Sequence, residues 1–119
     1  MRHILVVDDN KQNLVLMKSV LSNDFQVTPV LSGEQALKFL EKKHPDLILL
    51  DLLMPEMDGR ETMAQIRKKE EWADIPIIFL TADTTKEAQE ECLKSGAAGY
   101  IAKPFVPQDM IRQLNDILK

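Results

Sequence analysis

Three aspartates, a threonine and a lysine stand where short apolar runs end. Ile4-Leu5-Val6-Val7 leads into Asp8 and Asp9, and Leu47-Ile48-Leu49-Leu50 leads into Asp51. Ile77-Ile78-Phe79-Leu80 leads into Thr81, and Tyr100-Ile101-Ala102 leads into Lys103. If these runs are strands of an open parallel α/β sheet, their carboxyl ends share one rim, the place where such sheets bind ligands. Crowded carboxylates oppose one another's ionisation, and a divalent cation relieves the conflict. An all-oxygen set with few ligands suits Mg²⁺, which keeps several waters and often shares a phosphate; Mn²⁺ is the alternative. The Lys103 ammonium is a point charge for an incoming anion, and the Thr81 hydroxyl is a hydrogen-bond donor. Aspartate can itself act as a phosphoryl-accepting nucleophile. Together these groups are what in-line phosphoryl transfer requires, with Asp51 as the attacking group.

Taken singly, each residue has a plainer reading. Asp-Asp after a strand is common in turns, a strand-ending Asp is often a helix cap, and Thr is an ordinary strand residue. The joint pattern is more specific, because every candidate falls at the same end of the inferred sheet.

The elements that must position these groups alternate along the chain without a long linker. Strands are predicted at about 4–7, 25–30, 47–50, 75–80 and 99–102, and the first helix at about 11–21 with Leu14, Met17 and Leu21 on one face. Pro29 cannot donate to a ladder, so the second strand belongs at an edge. Capping boxes are expected at Ser32 with Gln35, at Asp58 with Glu61 and at Thr84 with Glu87. Gly96 is placed to end the fourth helix in the left-handed conformation, and Pro107 to open the fifth. Met110, Ile111, Leu114, Ile117 and Leu118 give that helix an apolar stripe. The pattern is (βα)₅, a flavodoxin-like, doubly wound parallel sheet of order 2-1-3-4-5. In that order the first and third strands are neighbours, which crowds Asp8, Asp9 and Asp51 at the switch point.

Bulk properties narrow the function. A chain of 119 residues is expected to form one domain over 1–119. It is 45% hydrophobic and 29% charged, as an ordinary folded protein is, with net charge −4 and no basic run. That disfavours direct nucleic-acid binding and a polybasic membrane anchor. Cys92 is the sole cysteine, which excludes an intrachain disulfide, and its place on an apolar helix side predicts core packing. No apolar run reaches the roughly 20 residues of a membrane helix. Met1-Arg2-His3-Ile4 enters a strand directly, without room for a signal peptide, so a cytoplasmic location is expected. Trp72 is expected as a partly buried cover, and His3 and His44 fall outside the inferred pocket. The methionines read as core filler, apart from the loop residues Met54 and Met57.

Four segments carry a resemblance: I-L-V-V-D-D-N (4–10), L-I-L-L-D-L-L-M-P-E-M-D-G (47–59), I-I-F-L-T-A (77–82) and G-A-A-G-Y-I-A-K-P-F (96–105). Over essentially its full length the chain resembles the receiver domain of two-component response regulators. The resemblance implies a bacterial, cytoplasmic phosphorelay protein. Asp51 would accept a phosphoryl group from a histidine kinase or histidine phosphotransfer protein, or from a small phosphodonor. Asp9 and Asp51 would bind Mg²⁺ directly, Asp8 through water, and the Leu53 carbonyl would complete the protein ligands. Thr81 and Lys103 would contact the phosphoryl oxygens, the Lys103-Pro104 bond would be cis, and Thr81 and Tyr100 would be the switch pair. Switching would act on the face of the fourth helix, fifth strand and fifth helix, to control a downstream effector as a monomer or a phosphorylation-dependent dimer.

The chain departs from that family's pattern in places. Val106 stands where a polar cap is usual, so the last helix would start loosely. Leu53 is apolar where many receivers are polar, and with Asp83 it would tune hydrolysis of the phosphoryl group. Ala98-Gly99 replaces the Asp-Asp that receivers of winged-helix transcription factors use in dimerisation. The V-D-D-N-x-x-N start looks more like receivers joined to sensor kinases or cyclic-dinucleotide enzymes. Two other functions fit less well. An aspartate-nucleophile phosphatase of the haloacid-dehalogenase type needs an acid at position 53, and a flavodoxin-like nucleotide binder needs an uncharged loop in place of Asp8-Asp9. The expected protein catalyses its own aspartyl phosphorylation and dephosphorylation and turns over no external metabolite.

Overall fold

The computed structural model describes residues 1–54, 56–82 and 85–118. Five parallel strands form one sheet: β1 (His3–Val7), β2 (Gln26–Val30), β3 (Leu47–Asp51), β4 (Ile77–Thr81) and β5 (Gly99–Ala102). Their order is β2-β1-β3-β4-β5, as the element pattern predicted. Between and after them run α1 (Lys11–Leu21), α2 (Gly33–Leu40), α3 (Gly59–Arg67), α4 (Lys86–Lys94) and α5 (Pro107–Ile117). Pro29 lies on β2, an edge strand bonded only to β1, where a missing donor is tolerated.

Strand alternation divides the core in two. Leu5, Val7, Ile48, Leu50, Ile77 and Phe79 point to one face and pack with Ala36, Leu40, Met63, Ile66 and Cys92 of α2, α3 and α4. Ile4, Val6, Leu47, Leu49, Ile78 and Leu80 point to the other and pack with Leu14 and Met17 of α1 and Met110 and Leu114 of α5. Burial of each such side chain stabilises by about 1.5–3 kcal/mol, so the three central strands fix the sheet. All connections are parallel crossovers, and these are right-handed almost without exception. The chain winds one way through α1 and the other way after β2, which puts the switch point between β1 and β3.

Local signals set the helix starts. Ser32 and Asp58 are N-caps, accepting from the backbone N–H of Gln35 and Glu61. The reciprocal half of the box at α2 differs from the expectation. Gln35 Oε1 accepts from the N–H of Leu31, one residue before the cap. The cap of α4 is Thr85, whose hydroxyl accepts from Ala88 N–H, in place of the expected Thr84, which lies outside the described residues. Two adjacent threonines offer the same chemistry, and the register of Ala88 and Cys92 against the core selects the second. Val106 leaves α5 without a side-chain cap, and Pro107 opens that helix. Gly96 ends α4 at φ +99°. Trp72 is more buried than a cover, at 5% exposure. A 3₁₀ turn over Glu70–Trp72 carries the ring into the core cluster with Ile66, Ile75 and Ile77, and Lys69 Nζ sits 4.8 Å from its centroid. Among the described residues no helix is long and apolar enough to cross a membrane.

Candidate functional site

The carboxyl ends of β1, β3 and β4 deliver the acidic residues and the threonine to one rim. Register pairs Val7 with Leu50 and Asp51 with Leu80, so Asp8 follows β1 beside the last residue of β3. Asp8 is 1% exposed and Asp51 5%, whereas Asp9 is exposed. Carboxylate oxygens of all three lie within 4.8 Å of one another. Lys103 follows β5 and is tied in by its backbone N–H, which donates to the Thr81 carbonyl at 2.8 Å. Its Nζ stands 3.2 Å from Asp51 Oδ2 and 3.3 Å from Asp8 Oδ2. The Lys103-Pro104 peptide is cis.

Backbone geometry orients the carboxylates further. Asp8 Oδ1 accepts from Asn10 N–H at 3.0 Å, and Asp51 Oδ1 accepts from Leu53 N–H at 3.3 Å. Leu53 projects outward at 71% exposure, so its side chain borders the mouth of the site. Thr81 is buried and helps to line a cavity of about 230 Å³ with Leu52, Leu53, Asp58 and Thr85. Tyr100 is half-buried against the core beneath α4, and its carbonyl accepts from Gln113 Nε2 at 3.1 Å. Glu56 adopts the left-handed conformation, φ 66°, in the loop after the acceptor strand; a non-glycine residue there stores strain of order 1 kcal/mol. Asp83 and Pro55 lie outside the described residues, and so does any part Asp83 plays in tuning hydrolysis.

Asn13, Arg60 and Glu91, near this rim, were given no role from the sequence. Asn13 Nδ2 donates to Asp8 Oδ2 at 3.3 Å. Arg60 and Glu91 pair at 2.5 Å across α3 and α4, both half-exposed, where such a pair contributes under about 1 kcal/mol. His3, at the opposite end of β1, bonds Thr28 Oγ1 at 2.7 Å and packs edge-on to Phe39, a structural role. Only Asn13 had a signal in the sequence, its spacing from Asp8 across a helix start.

Electrostatics follow from the burial. Asp51 is pushed up to about 6, first by desolvation and then by the neighbouring Asp8 carboxylate, against the lowering effect of Lys103. A carboxyl whose folded-state value is raised holds its proton more tightly when folded. Stability from this group is therefore fully present below about 4 and is lost as pH rises through about 6. A two-unit shift corresponds to ~3 kcal/mol, which water at the open mouth reduces to about 1–2 kcal/mol. Asp51→Asn should accordingly stabilise the metal-free protein by about 1–2 kcal/mol at pH 7.5 and hardly at all at about pH 3, below the unfolded value. Urea unfolding of both proteins in chelator at the two pH values measures this. An equal gain at both would remove ionisation of Asp51 as the cause.

The response regulator receiver domain family matches residues 4–115. The chain belongs to that family. Among curated relatives, it is 38% identical to the probable histidine kinase 4 of rice (Oryza sativa subsp. japonica), covering 98% of this chain and 14% of that protein. It is 35% identical to the response regulator SaeR of Staphylococcus epidermidis, covering 99% of this chain and 51% of that protein. The chain thus spans about half of one of these relatives and a seventh of the other. Among solved structures, the receiver superposes on the chemotaxis protein CheY4 of Vibrio cholerae with TM-score 0.92, 30% identity and 99% of each chain covered. It superposes on the receiver domain of the sensor histidine kinase PA1611 of Pseudomonas aeruginosa with TM-score 0.89 and 35% identity, over 98% of this chain and 97% of that one. That receiver was solved with a magnesium ion coordinated in its active-site cleft.

Proposed function

We propose that this receiver takes a phosphoryl group onto the Asp51 carboxylate in the presence of Mg²⁺ and uses the product as a signal. The observation that carries the reading is the cluster of Asp8, Asp9 and Asp51 oxygens within 4.8 Å, with one ammonium touching both buried members. Asp9 and Asp51 would hold the ion directly, Asp8 through water, and the Leu53 carbonyl would add a ligand. Such a donor set, all oxygen and strongly anionic, fits Mg²⁺ or Mn²⁺, and the magnesium in the PA1611 receiver supports the choice. When bound, the ion offsets the carboxylate charges and the charge developing on the phosphoryl oxygens.

In the transfer itself an Asp51 oxygen attacks phosphorus. The new O–P bond forms as the donor's P–N or P–O bond breaks, and the leaving group departs with that electron pair. Lys103 is already at hydrogen-bonding distance from the attacking carboxylate and stabilises the added oxygens. Thr81, at the end of the neighbouring strand, donates a hydrogen bond to them and moves inward. Space is then available for the half-buried Tyr100 ring to turn inward and shift the α4–β5–α5 face between two states. The donor is a histidine kinase or histidine phosphotransfer protein, and the face controls an effector. Leu53 supplies no second acid, which separates this site from aspartate-nucleophile phosphatases.

Incubation with acetyl phosphate and Mg²⁺ should add one phosphoryl mass to the intact protein, and Asp51→Ala should abolish it. Ring resonances of Tyr100, followed in the same reaction, should shift as the adduct forms. An adduct that persists in Asp51→Ala, or none in the wild type, would end the proposal.

A further inference from the structure

The first turn of α1 is joined to the acidic cluster by a feature that the phosphorylation chemistry leaves unexplained. Asn10 is the N-cap of α1, and its Oδ1 accepts from the N–H of Asn13 at 3.2 Å. That bond fixes the first turn and with it the direction of the Asn13 side chain. Asn13 Nδ2 then reaches back to Asp8 Oδ2 at 3.3 Å. The amide can face Asp8 only with its nitrogen, since its oxygen would meet a carboxylate that has no proton to give. Asp8 is 1% exposed and is held at both ends, Oδ1 by Asn10 N–H and Oδ2 by Asn13.

Lys103 Nζ contacts the same Asp8 oxygen at 3.3 Å. Asn13 and Lys103 therefore share one acceptor. Asn13 also lines a largely apolar cavity of about 390 Å³ with Leu16, Met17, Leu80, Ala82 and Phe105. Asp8 itself is 1% exposed, so water competes little for the hydrogen bonds to its carboxylate. Without the amide, Asp8 Oδ2 would lean more heavily on the ammonium. The lysine would be drawn toward Asp8 and away from Asp51.

We infer that Asn13 is a positioning residue of the phosphoacceptor site: its amide orients Asp8 toward the metal position and keeps Lys103 shared between Asp8 and Asp51. The inference rests on the Mg²⁺ reading above. Groups that orient metal ligands typically govern metal affinity by 10–100-fold, and Asn13 acts on one carboxylate of three.

Asn13→Leu keeps the volume and a good helix former but removes the donor. Titration calorimetry with MgCl₂ should give a dissociation constant about 10-fold above wild type, while the metal-free variant still unfolds in one cooperative transition. The Asp8 carboxyl carbon resonance should move in the metal-free variant, a readout independent of phosphorylation. Asn13→Gln retains an amide and should recover part of the lost affinity; it also serves as the test pair should the leucine variant fail to fold. Mg²⁺ affinity within roughly twofold of wild type in the leucine variant, against an expected change of 10-fold or more, would overturn the inference and leave the phosphorylation reading intact. A wild type that binds no Mg²⁺ and takes no phosphoryl group would overturn both.

Discussion

Lys103→Met should destabilise the metal-free protein by about 2–4 kcal/mol at pH 7.5. In the folded chain the ammonium lies 3.2 Å from Asp51 Oδ2 and 3.3 Å from Asp8 Oδ2, and both carboxylates are buried. Removing one member of a buried ion pair typically costs 3–5 kcal/mol, because the other charge stays desolvated without a partner. Two circumstances reduce that figure here. The Lys103 side chain is 24% exposed, so some of its attraction is screened. Asp51, already raised to about 6 by burial and Asp8, can also escape by taking up a proton. The loss should therefore be smaller at pH 5, where Asp51 is mostly protonated, than at pH 7.5. Saturating Mg²⁺ should recover most of it, since the cation supplies the missing positive charge. The rate of phosphoryl addition should nevertheless fall by about 10²–10³-fold, the usual effect of deleting one preorganised group that meets developing negative charge. Urea unfolding with and without Mg²⁺, together with the rate of adduct formation, separates the two roles. A stability loss independent of both Mg²⁺ and pH would place the contribution of Lys103 elsewhere than in the carboxylate cluster.

Much of this site was legible because its residues end strands. An apolar run buried on both faces announces its own limit, and the first polar residue after it must lie at the rim. That logic located Asp8, Asp51, Thr81 and Lys103 without knowledge of any side-chain contact, and Pro29 gave the strand order its edge. What escaped the sequence depended on helix phase and on choices between equivalent donors. Asn13 reaches Asp8 only because Asn10 starts α1 at Lys11, and a start one residue later would rotate the amide by about 100°. Thr85 caps α4 in place of Thr84 because core register, not cap chemistry, decides between adjacent threonines. Gln35 passes over Ser32 to reach Leu31 because its side chain is long enough to serve either N–H. Trp72 was misjudged for a different reason. Its charged neighbours suggested only partial burial, but a 3₁₀ turn sends Glu70 and Glu71 to solvent while the indole goes to the core.

The loop between the acceptor strand and α3 offers a test of whether backbone placement limits the chemistry. Gly59 opens α3, and its N–H donates to the Leu52 carbonyl at 3.0 Å. A Cβ at this position would stand 2.5 Å from the Asp51 carbonyl oxygen and 2.8 Å from Leu52 Cα. Both are backbone atoms of the segment that carries the acceptor, so no rotamer change relieves the contact. Alanine would favour the helix by about 1 kcal/mol over glycine, but overpacking against rigid backbone costs about 1–3 kcal/mol and should prevail. The displaced segment runs from Asp51 toward Leu53, whose N–H orients the Asp51 carboxylate. A shift of a few tenths of an ångström or more therefore reaches the attacking oxygen directly. Gly59→Ala should lose about 1–2 kcal/mol of stability and slow phosphoryl addition at least roughly 10-fold, since misplacement by about 1 Å can cost 100-fold. Gly96→Ala is the matched control. Its φ of +99° makes alanine unfavourable by about 1–2 kcal/mol, yet nothing lies within 4 Å of the added Cβ. The two variants should unfold at similar urea concentrations, while only Gly59→Ala takes up phosphoryl groups slowly. Equal rates in the two would mean that the position of the 51–53 backbone does not limit attack, and that Gly59 serves stability alone.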